Sequence, residues 1–310
     1  MAGLRGCAHV DLGGAAMIHQ RGVALVLVLW VVTLLSVIAG NFAFSMRSEA
    51  QIARNLLSTA QAQALADAGV QRAWYELMKP STDIKRWQGN GVVHEYMLEG
   101  AMLRVSIQDE SGKIDLNVAS DPLLMGHFKS VGLGEEDSVA LLDVIRDWRD
   151  DDKLKRLHGA EEDDYRLAGK NYVPSNSPFG TVDELRRVQG MSPDLYRKLA
   201  PALTVYSKQP GVNTEFASRA VLLAIPGADP ATVEQYLVQR QSLLSTDQKA
   251  LPFAGAGPFG AGSMGISVYT ARCEVKLPDG TVFVRSVVAR LTQDPKRPVT
   301  VLAWSEEESE

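Results

Sequence analysis

The chain has 310 residues, of which 45% are hydrophobic and 22% charged; this composition fits one or two folded domains and excludes a largely disordered chain. The formal net charge of -5 argues against a protein that binds nucleic acid or an anionic membrane through positive charge. If the opening segment is removed, Cys7 is lost and Cys273 remains alone, so no intramolecular disulfide is expected.

The first strong pattern is an uncharged segment of 22 residues, Val23–Phe44. As a helix it would be roughly 33 Å long, which matches a hydrocarbon core of about 30 Å. The apolar part of a secretory signal is shorter, about 7–15 residues. We therefore predict a membrane-spanning helix. Arg21, with Arg5 if translation starts at Met1 rather than Met17, places the N-terminus in the cytoplasm.

The helix is predicted to continue beyond the membrane until Pro80 ends it, giving about 55 residues in all. Apolar residues recur in this continuation at three- and four-residue steps. This predicted stripe consists of Met46, Ala50, Ala53, Leu57, Ala60, Ala64, Ala68, Tyr75 and Met78.

Alternating apolar and polar residues predict strands on both sides of a helical region, Asp115–Leu244. The predicted strands are 92–99, 102–110, 264–277, 281–291 and 299–305. Pro278–Gly280 predicts a hairpin turn. The predicted fold class is α+β: a long N-terminal helix packs on an antiparallel sheet, and a large all-α domain is inserted into the sheet, whose flanking strands pair across the insertion.

Three parts of the helical region repeat a helix, a glycine turn and a second helix, which resembles helix-hairpin-helix units. In the first, Gly132 and Gly134 are followed directly by Glu135, Glu136 and Asp137, which would repel phosphate. We interpret these units as packing elements and predict no nucleic-acid partner.

An acidic cluster follows in the helical region. Its members are Asp147, Asp150, Asp151, Asp152, Glu161, Glu162, Asp163 and Asp164. The turn at Gly159 can fold the second acidic group onto the first. Carboxylates gathered in this way suit Ca²⁺, although the spacing is not that of an EF-hand. A solvated acidic face is the usual alternative, and both interpretations stay open.

Motifs of catalysis are absent from the sequence. It has no His-x-x-x-His, Cys-x-x-Cys or Gly-x-Ser-x-Gly, and Glu110–Lys113 is not a P-loop. We predict a protein that is not an enzyme and has no organic cofactor.

Together these features resemble the protein K family of minor pseudopilins in bacterial type II secretion systems. The resemblance extends from about Met17 to Trp304. It rests on RGVAL before the span, DESGKIDLN (Asp109–Asn117), the spaced motif from Asp147 to Tyr165, SPFGTVDELRRVQG (Ser177–Gly190), VNTEFAS (Val212–Ser218) and the closing VLAW.

The resemblance implies that prepilin peptidase cuts after Gly22 and that Val23 becomes a methylated N-terminus. The chain would be a single-pass inner-membrane protein, mostly periplasmic, at the tip of the pseudopilus. It would promote pseudopilus assembly for export across the outer membrane, together with I- and J-type minor pseudopilins and the major pseudopilin. The secretin channel and secreted substrates would be further partners.

Family members can carry calcium in the helical domain. The matching positions imply Ca²⁺ ligands at Asp147, Asp150, Asp152, Glu161 and Glu162. The implied domains are a leader (1–22), the transmembrane half of the long helix (23–44), a pilin-like domain in two parts (45–112 and 246–310) and an inserted helical domain (113–245).

Two positions depart from the general pilin pattern. Most pilins have Phe at the first mature position and Glu at the fifth, where this chain has Val23 and Leu27. A carboxylate in hydrocarbon is costly unless it is paired, and a subunit at the tip has no neighbour above it to pair with. The absence of the glutamate therefore favours a tip subunit.

Three alternative functions share some of these sequence features. A minor pilin of a type IV or competence pilus would share the export route, but the acidic helical region argues against DNA uptake. A membrane-anchored periplasmic hydrolase would need a nucleophile or metal constellation. A soluble periplasmic protein would need a cleavable signal.

Overall fold

The structure is a computed structural model that describes residues 21–80, 82–83, 85–245, 251–262, 267–292 and 294–307. Cys7 and most of the predicted leader lie outside the described residues. The helices are α1 (Arg21–Met78), α2 (Asp121–Ser130), α3 (Glu135–Arg149), α4 (Glu162–Leu167), α5 (Pro193–Leu199), α6 (Arg219–Ala224) and α7 (Pro230–Ser245). The strands are β1 (Asn90–Leu98), β2 (Ala101–Asp109), β3 (Ile114–Asp115), β4 (Leu203–Thr204), β5 (Ser267–Lys276), β6 (Val282–Leu291) and β7 (Val299–Glu307).

The chain divides into two compact units, residues 1–57 and 58–310. The described part of the first unit is entirely helix α1, and its side chains are exposed from Ala24 to Leu57. This helix is long and apolar enough to cross a membrane by length and composition. Apolar side chains exposed all round suit contact with lipid, which is consistent with the predicted single-pass anchor.

The second unit contains a five-stranded antiparallel sheet in the order β1-β2-β5-β6-β7. β2 and β5 are neighbours over their whole length, from the pair Met102–Lys276 to the pair Asp109–Tyr269. The prediction that strands pair across the helical insertion is therefore confirmed. Gly280 ends the β5–β6 turn with a φ of +91°, a conformation that favours glycine.

The last turns of α1 pack on one face of this sheet. The buried apolar side chains of the helix that belong to this core cluster are Ala62, Leu65, Ala66, Val70, Ala73, Trp74 and Leu77. The predicted stripe was wrong here, because its members in this part of the helix are exposed: Ala60, Ala64, Ala68, Tyr75 and Met78. Both faces are rich in alanine, and the face with Leu65, Val70 and Trp74 removes more apolar area from water.

A second core cluster lies in the helical region and contains residues from Ile114 to Ala256. Near the end of α3, the Trp148 ring stacks on Phe179 with ring centroids 6.3 Å apart. The cluster includes Phe253, beyond the predicted boundary of the inserted domain at residue 245. The domain boundaries stay a prediction.

Glu110 connects the two core clusters. It lies in a short 3-10 turn after β2 and is 2% exposed. Its Oε2 accepts a hydrogen bond from Thr204 of β4 at 2.5 Å, and its Oε1 accepts one from Thr270 of β5 at 2.6 Å. Lys113 Nζ lies 2.7 Å from the same Oε1. The buried charge is thus compensated from both sides.

Candidate functional site

The acidic cluster lies where helix α3 ends and helix α4 begins. Asp147 is in the last turn of α3, and Asp150 directly follows that helix. Glu161 is the N-cap residue of α4, where it forms a capping box with Asp164. The loop between the two helix ends (151–160) therefore brings the two acidic groups towards each other.

Three carboxylates converge at this place. One oxygen from each of Asp147, Asp150 and Glu161 lies within 4.8 Å of the others. Asp147 is fully buried and Glu161 is 8% exposed, so these two carboxylates are not solvated. A Cβ on Gly159 would lie 1.8 Å from Asp147 Oδ2, so glycine allows the loop backbone to pass against the carboxylate.

Arg156 supplies a positive charge to this group. Its Nη1 lies 2.7 Å from Asp147 Oδ1 and also contacts Asp150 Oδ2. Its backbone N–H donates to Asp147 Oδ2 at 3.2 Å. The hydrogen bond to Asp150 raises the pKa of the guanidinium above its usual value, so the side chain stays protonated.

Two carboxylate oxygens of the group remain unused. Glu161 Oε1 and Asp150 Oδ1 are buried and have no hydrogen-bond partner among the described residues. Burial raises the pKa of the Glu161 carboxyl, and the charges of Asp147 and Asp150 raise it further. An unsatisfied buried acceptor costs about 1–3 kcal/mol, and more when it is charged. The group therefore has buried acceptors that Arg156 does not satisfy.

Asp152 and Glu162, the other two predicted ligands, lie outside the group of three. Asp152 is exposed, and its Oδ1 accepts a hydrogen bond from the Leu154 N–H at 2.7 Å. Glu162 pairs with Arg166 and lies 3.5 Å from Lys153. The ligand set of five residues stays a prediction. Three of its members, Asp147, Asp150 and Glu161, lie close together in space.

The donor chemistry fits a hard divalent cation. Ca²⁺ takes six to eight oxygen ligands, and carboxylates bind it through one or both oxygens. Asp147, Asp150 and Glu161 offer only carboxylate oxygens, of which two are unpartnered and buried. Sequence reasoning identified the three acids but missed Arg156, whose signal was its position between the two acidic groups.

The predicted processing site lies at the start of α1. Gly22 and Val23 fall in the first turn of this helix, which begins at Arg21. Leu27 lies further along the same helix and its side chain is 62% exposed. Both the cleavage site and the methylated N-terminus stay predictions.

Comparison with protein families identifies part of the helical region. The family model "Type II secretion system (T2SS), protein K" matches residues 115–208. A type II secretion system protein K from Klebsiella pneumoniae is 29% identical over 229 residues, covering 66% of this chain and 70% of that protein. One from Pseudomonas aeruginosa is 27% identical, covering 71% of this chain and 72% of that protein. The resemblance predicted from the sequence is confirmed.

A solved structure shares the fold. It is the crystal structure of the GspK–GspI–GspJ complex from the type 2 secretion system of enterotoxigenic Escherichia coli. A chain of that complex superposes with a TM-score of 0.55 at 16% identity, covering 85% of this chain and 99% of that chain. The α+β, pilin-like fold class is therefore confirmed.

Proposed function

We propose that this chain, which carries the protein K domain of type II secretion systems, is a minor pseudopilin that caps the pseudopilus tip and promotes its assembly. The relatives named above are all type II secretion proteins. Their names favour export across the outer membrane over the alternative, a minor pilin of a type IV or competence pilus.

The observation that carries the tip position is Leu27. If Val23 is the first mature residue, Leu27 occupies the fifth position, where a stacking pilin keeps a glutamate. Leu27 is exposed on α1 and is apolar, so it has no charge with which to neutralise the terminal ammonium of another subunit. The bulky helical region built around the second core cluster would also obstruct a subunit stacked above it. Both features suit the last position of a filament.

The proposed partners are I- and J-type minor pseudopilins and the major pseudopilin. The likeness in fold to a chain from a GspK–GspI–GspJ complex supports the first two. The secretin channel and secreted substrates are further proposed partners. The proposed role is assembly and not catalysis.

Processing and location follow from the same proposal. Prepilin peptidase would cut after Gly22 and leave a methylated Val23. The apolar part of α1 would then anchor the chain in the inner membrane, with the N-terminus cytoplasmic because of Arg21. The bulk of the chain would lie in the periplasm.

Calcium binding is part of the proposal. Asp147, Asp150 and Glu161 would hold the ion, and Asp152 and Glu162 would add negative charge around it. The two unpartnered buried oxygens support this. When bound, the ion would neutralise carboxylates at the junction of α3 and α4 and thereby stabilise the loop between them.

The experiment that tests the proposal compares two substitutions at Leu27 in the bacterium that makes the chain. Deletion should abolish the export of type II substrates, and Leu27→Ala should restore it. Leu27→Glu should restore less export, because its carboxylate would lie unpaired in the membrane. Full export with Leu27→Glu would argue against the tip position. Loss of adhesion or DNA uptake on deletion, with export intact, would favour the pilus alternative.

A further inference from the structure

In the loop that joins α3 to α4, Lys155 and Arg156 pair with acidic side chains, whereas the two leucines beside them are exposed. Lys155 Nζ lies 2.6 Å from Asp164 Oδ1, and Arg156 contacts the group of three carboxylates. Leu154 and Leu157, on either side of this pair, are 77% and 86% exposed. Ion pairing with the acidic cluster therefore holds the middle of this loop, where the leucines bury little apolar area.

Arg156 is the basic residue that reaches the buried carboxylates. Its Nη1 binds one oxygen of Asp147 at 2.7 Å and one of Asp150. The side chain of Asp147 is 0% exposed, so removal of its partner would leave a buried charge without compensation. The guanidinium thus holds two of the three carboxylates that the proposed calcium ion would need.

The third carboxylate is not held by this guanidinium. Glu161 is 92% buried (8% exposed), and its Oε1 has no hydrogen-bond partner among the described residues. The group therefore carries three negative charges against one positive charge at Arg156. This residual charge would favour a divalent cation over a single guanidinium.

We propose that Arg156 is the resident cation of the site and that it competes with calcium for Asp147 and Asp150. The inference rests on the calcium binding proposed above. Calcium entry requires the guanidinium to leave Asp147 Oδ1 and Asp150 Oδ2, which become ligands together with Glu161. The carboxylates are compensated in both states, so the loop stays folded whichever cation is bound, and the competition weakens the affinity for calcium.

The test is a calcium titration by calorimetry on the full-length chain in detergent, comparing wild type with Arg156→Gln. Removal of the competitor should tighten calcium binding by about tenfold, the factor expected if the guanidinium occupies the ligands about 90% of the time. In a chelator, the same variant should melt at a lower temperature than wild type, because Asp147 loses its partner. Calcium should restore most of that loss.

The matched control is Lys155→Gln, which removes an equal charge from the same loop. Lys155 pairs with Asp164, outside the group of three, so its removal should change calcium affinity much less than tenfold. If Lys155→Gln tightens calcium binding as much as Arg156→Gln does, the cause is the general loss of positive charge, and direct competition is wrong. Equal or weaker binding by Arg156→Gln would also overturn the inference, because it would mean that the guanidinium and the ion coexist.

Two further results separate this inference from the calcium proposal. If neither wild type nor Arg156→Gln binds calcium, the calcium proposal itself is wrong, and the proposed exchange with Arg156 is wrong as well.

Arg156→Lys addresses the case in which Arg156→Gln does not fold. A lysine keeps the charge, but its ammonium is more strongly hydrated than a guanidinium and loses more on entering the buried group, so competition predicts a calcium affinity above that of wild type. An affinity no higher than that of wild type would contradict competition.

Discussion

At the scale of single residues, Glu161 is where burial and charge conflict most directly. Its carboxyl is nearly buried beside Asp147 and Asp150, and one of its oxygens has no partner among the described residues. A cation resolves this conflict by pairing with the oxygen, and loss of the charge resolves it as well. Replacing Glu161 with a neutral residue should therefore affect the stability of the chain in opposite directions with and without calcium.

We expect Glu161→Gln to stabilise the chain without calcium and to reduce its response to calcium. In a chelator, the free energy of unfolding should rise by about 1 kcal/mol, because a buried unpaired charge is removed. With calcium, the variant should gain less stability than wild type, because one anionic ligand is lost. Thermal unfolding of the full-length chain in detergent, followed by circular dichroism with chelator and with calcium, measures both effects.

Glu162→Gln is the control for this prediction. Glu162 is the neighbouring acid, and its partners Arg166 and Lys153 are mostly exposed. Exposed ion pairs contribute about 0–1 kcal/mol, so this variant should change stability in chelator little and should lose less of the response to calcium than Glu161→Gln. If Glu161→Gln destabilises the chain in chelator, the Glu161 carboxylate already has a compensating partner. The interpretation that its buried oxygen is unpaired would then be wrong.

Glu161 also gives a pH dependence in the absence of calcium. Its folded pKa is raised above the ordinary value of 4.5, so between these two values the folded state binds more protons than the unfolded state. The contribution of Glu161 to the free energy of unfolding therefore falls as pH rises through this window. The difference between wild type and Glu161→Gln, measured in chelator across this pH range, should grow as pH rises. A difference that is independent of pH would contradict the raised pKa.

The residues of this site were predictable in part. A dense run of acids identifies Asp147, Asp150 and Glu161 as candidates, because the acids are close in sequence. The pairing of Arg156 with two of them was not predictable, since the path of the loop decides which of its basic residues turns inward. Asp152 and Glu162 look equivalent to the others in sequence, and the structure separates them by burial and by their partners.

At the scale of elements, strands were easier to predict than the buried face of the helix. A period of two assigns each strand residue to one face without ambiguity, and β2 buries Leu103, Val105 and Ile107 as its alternation indicates. In α1 the alanines occur on several faces, so periodicity alone chose the wrong one. The larger side chains Leu65 and Trp74 mark the face that packs on the sheet.

Substitution of Gly69 tests how closely helix α1 approaches the sheet. A Cβ at this position would lie 2.3 Å from Cys273 Sγ, and Cys273 is fully buried. We expect Gly69→Ala to lower the free energy of unfolding by about 1–3 kcal/mol through overpacking. In a Cys273→Ala background the sulfur is gone, and Gly69→Ala should cost less than it does in wild type, because the remaining contacts of the new Cβ, with the Cβ at position 273 and Val105 Cγ2, are 3.2 and 3.3 Å and alanine favours a helix by about 1 kcal/mol over glycine.

Thermal unfolding of the two single variants and the double variant completes this cycle. Gly126→Ala is the control, because its Cβ would meet a backbone oxygen, that of Ala224, at 2.0 Å. No truncation of a side chain can relieve that contact. If Gly69→Ala costs the same with and without the Cys273 sulfur, the helix is not held against β5 in the way described.

At the scale of the whole molecule, the order of elements carried most of the predictive information. Strands before and after a long helical segment imply a sheet that closes across an insertion, and the pairing of β2 with β5 confirms it. The boundary of the insertion was harder to place. Phe253 lies in a loop rich in glycine, proline and alanine yet belongs to the helical core cluster, and composition alone assigns such a loop to neither part.

Under the proposed function, this chain is a pseudopilin that prepilin peptidase matures. The most direct test is mass spectrometry of the N-terminus of the chain purified from the membranes of its own bacterium. We expect a chain that begins at Val23 and carries one N-methyl group. A chain that begins near Gly40, as after cleavage of a secretory signal, would contradict it, and so would a chain that keeps its leader.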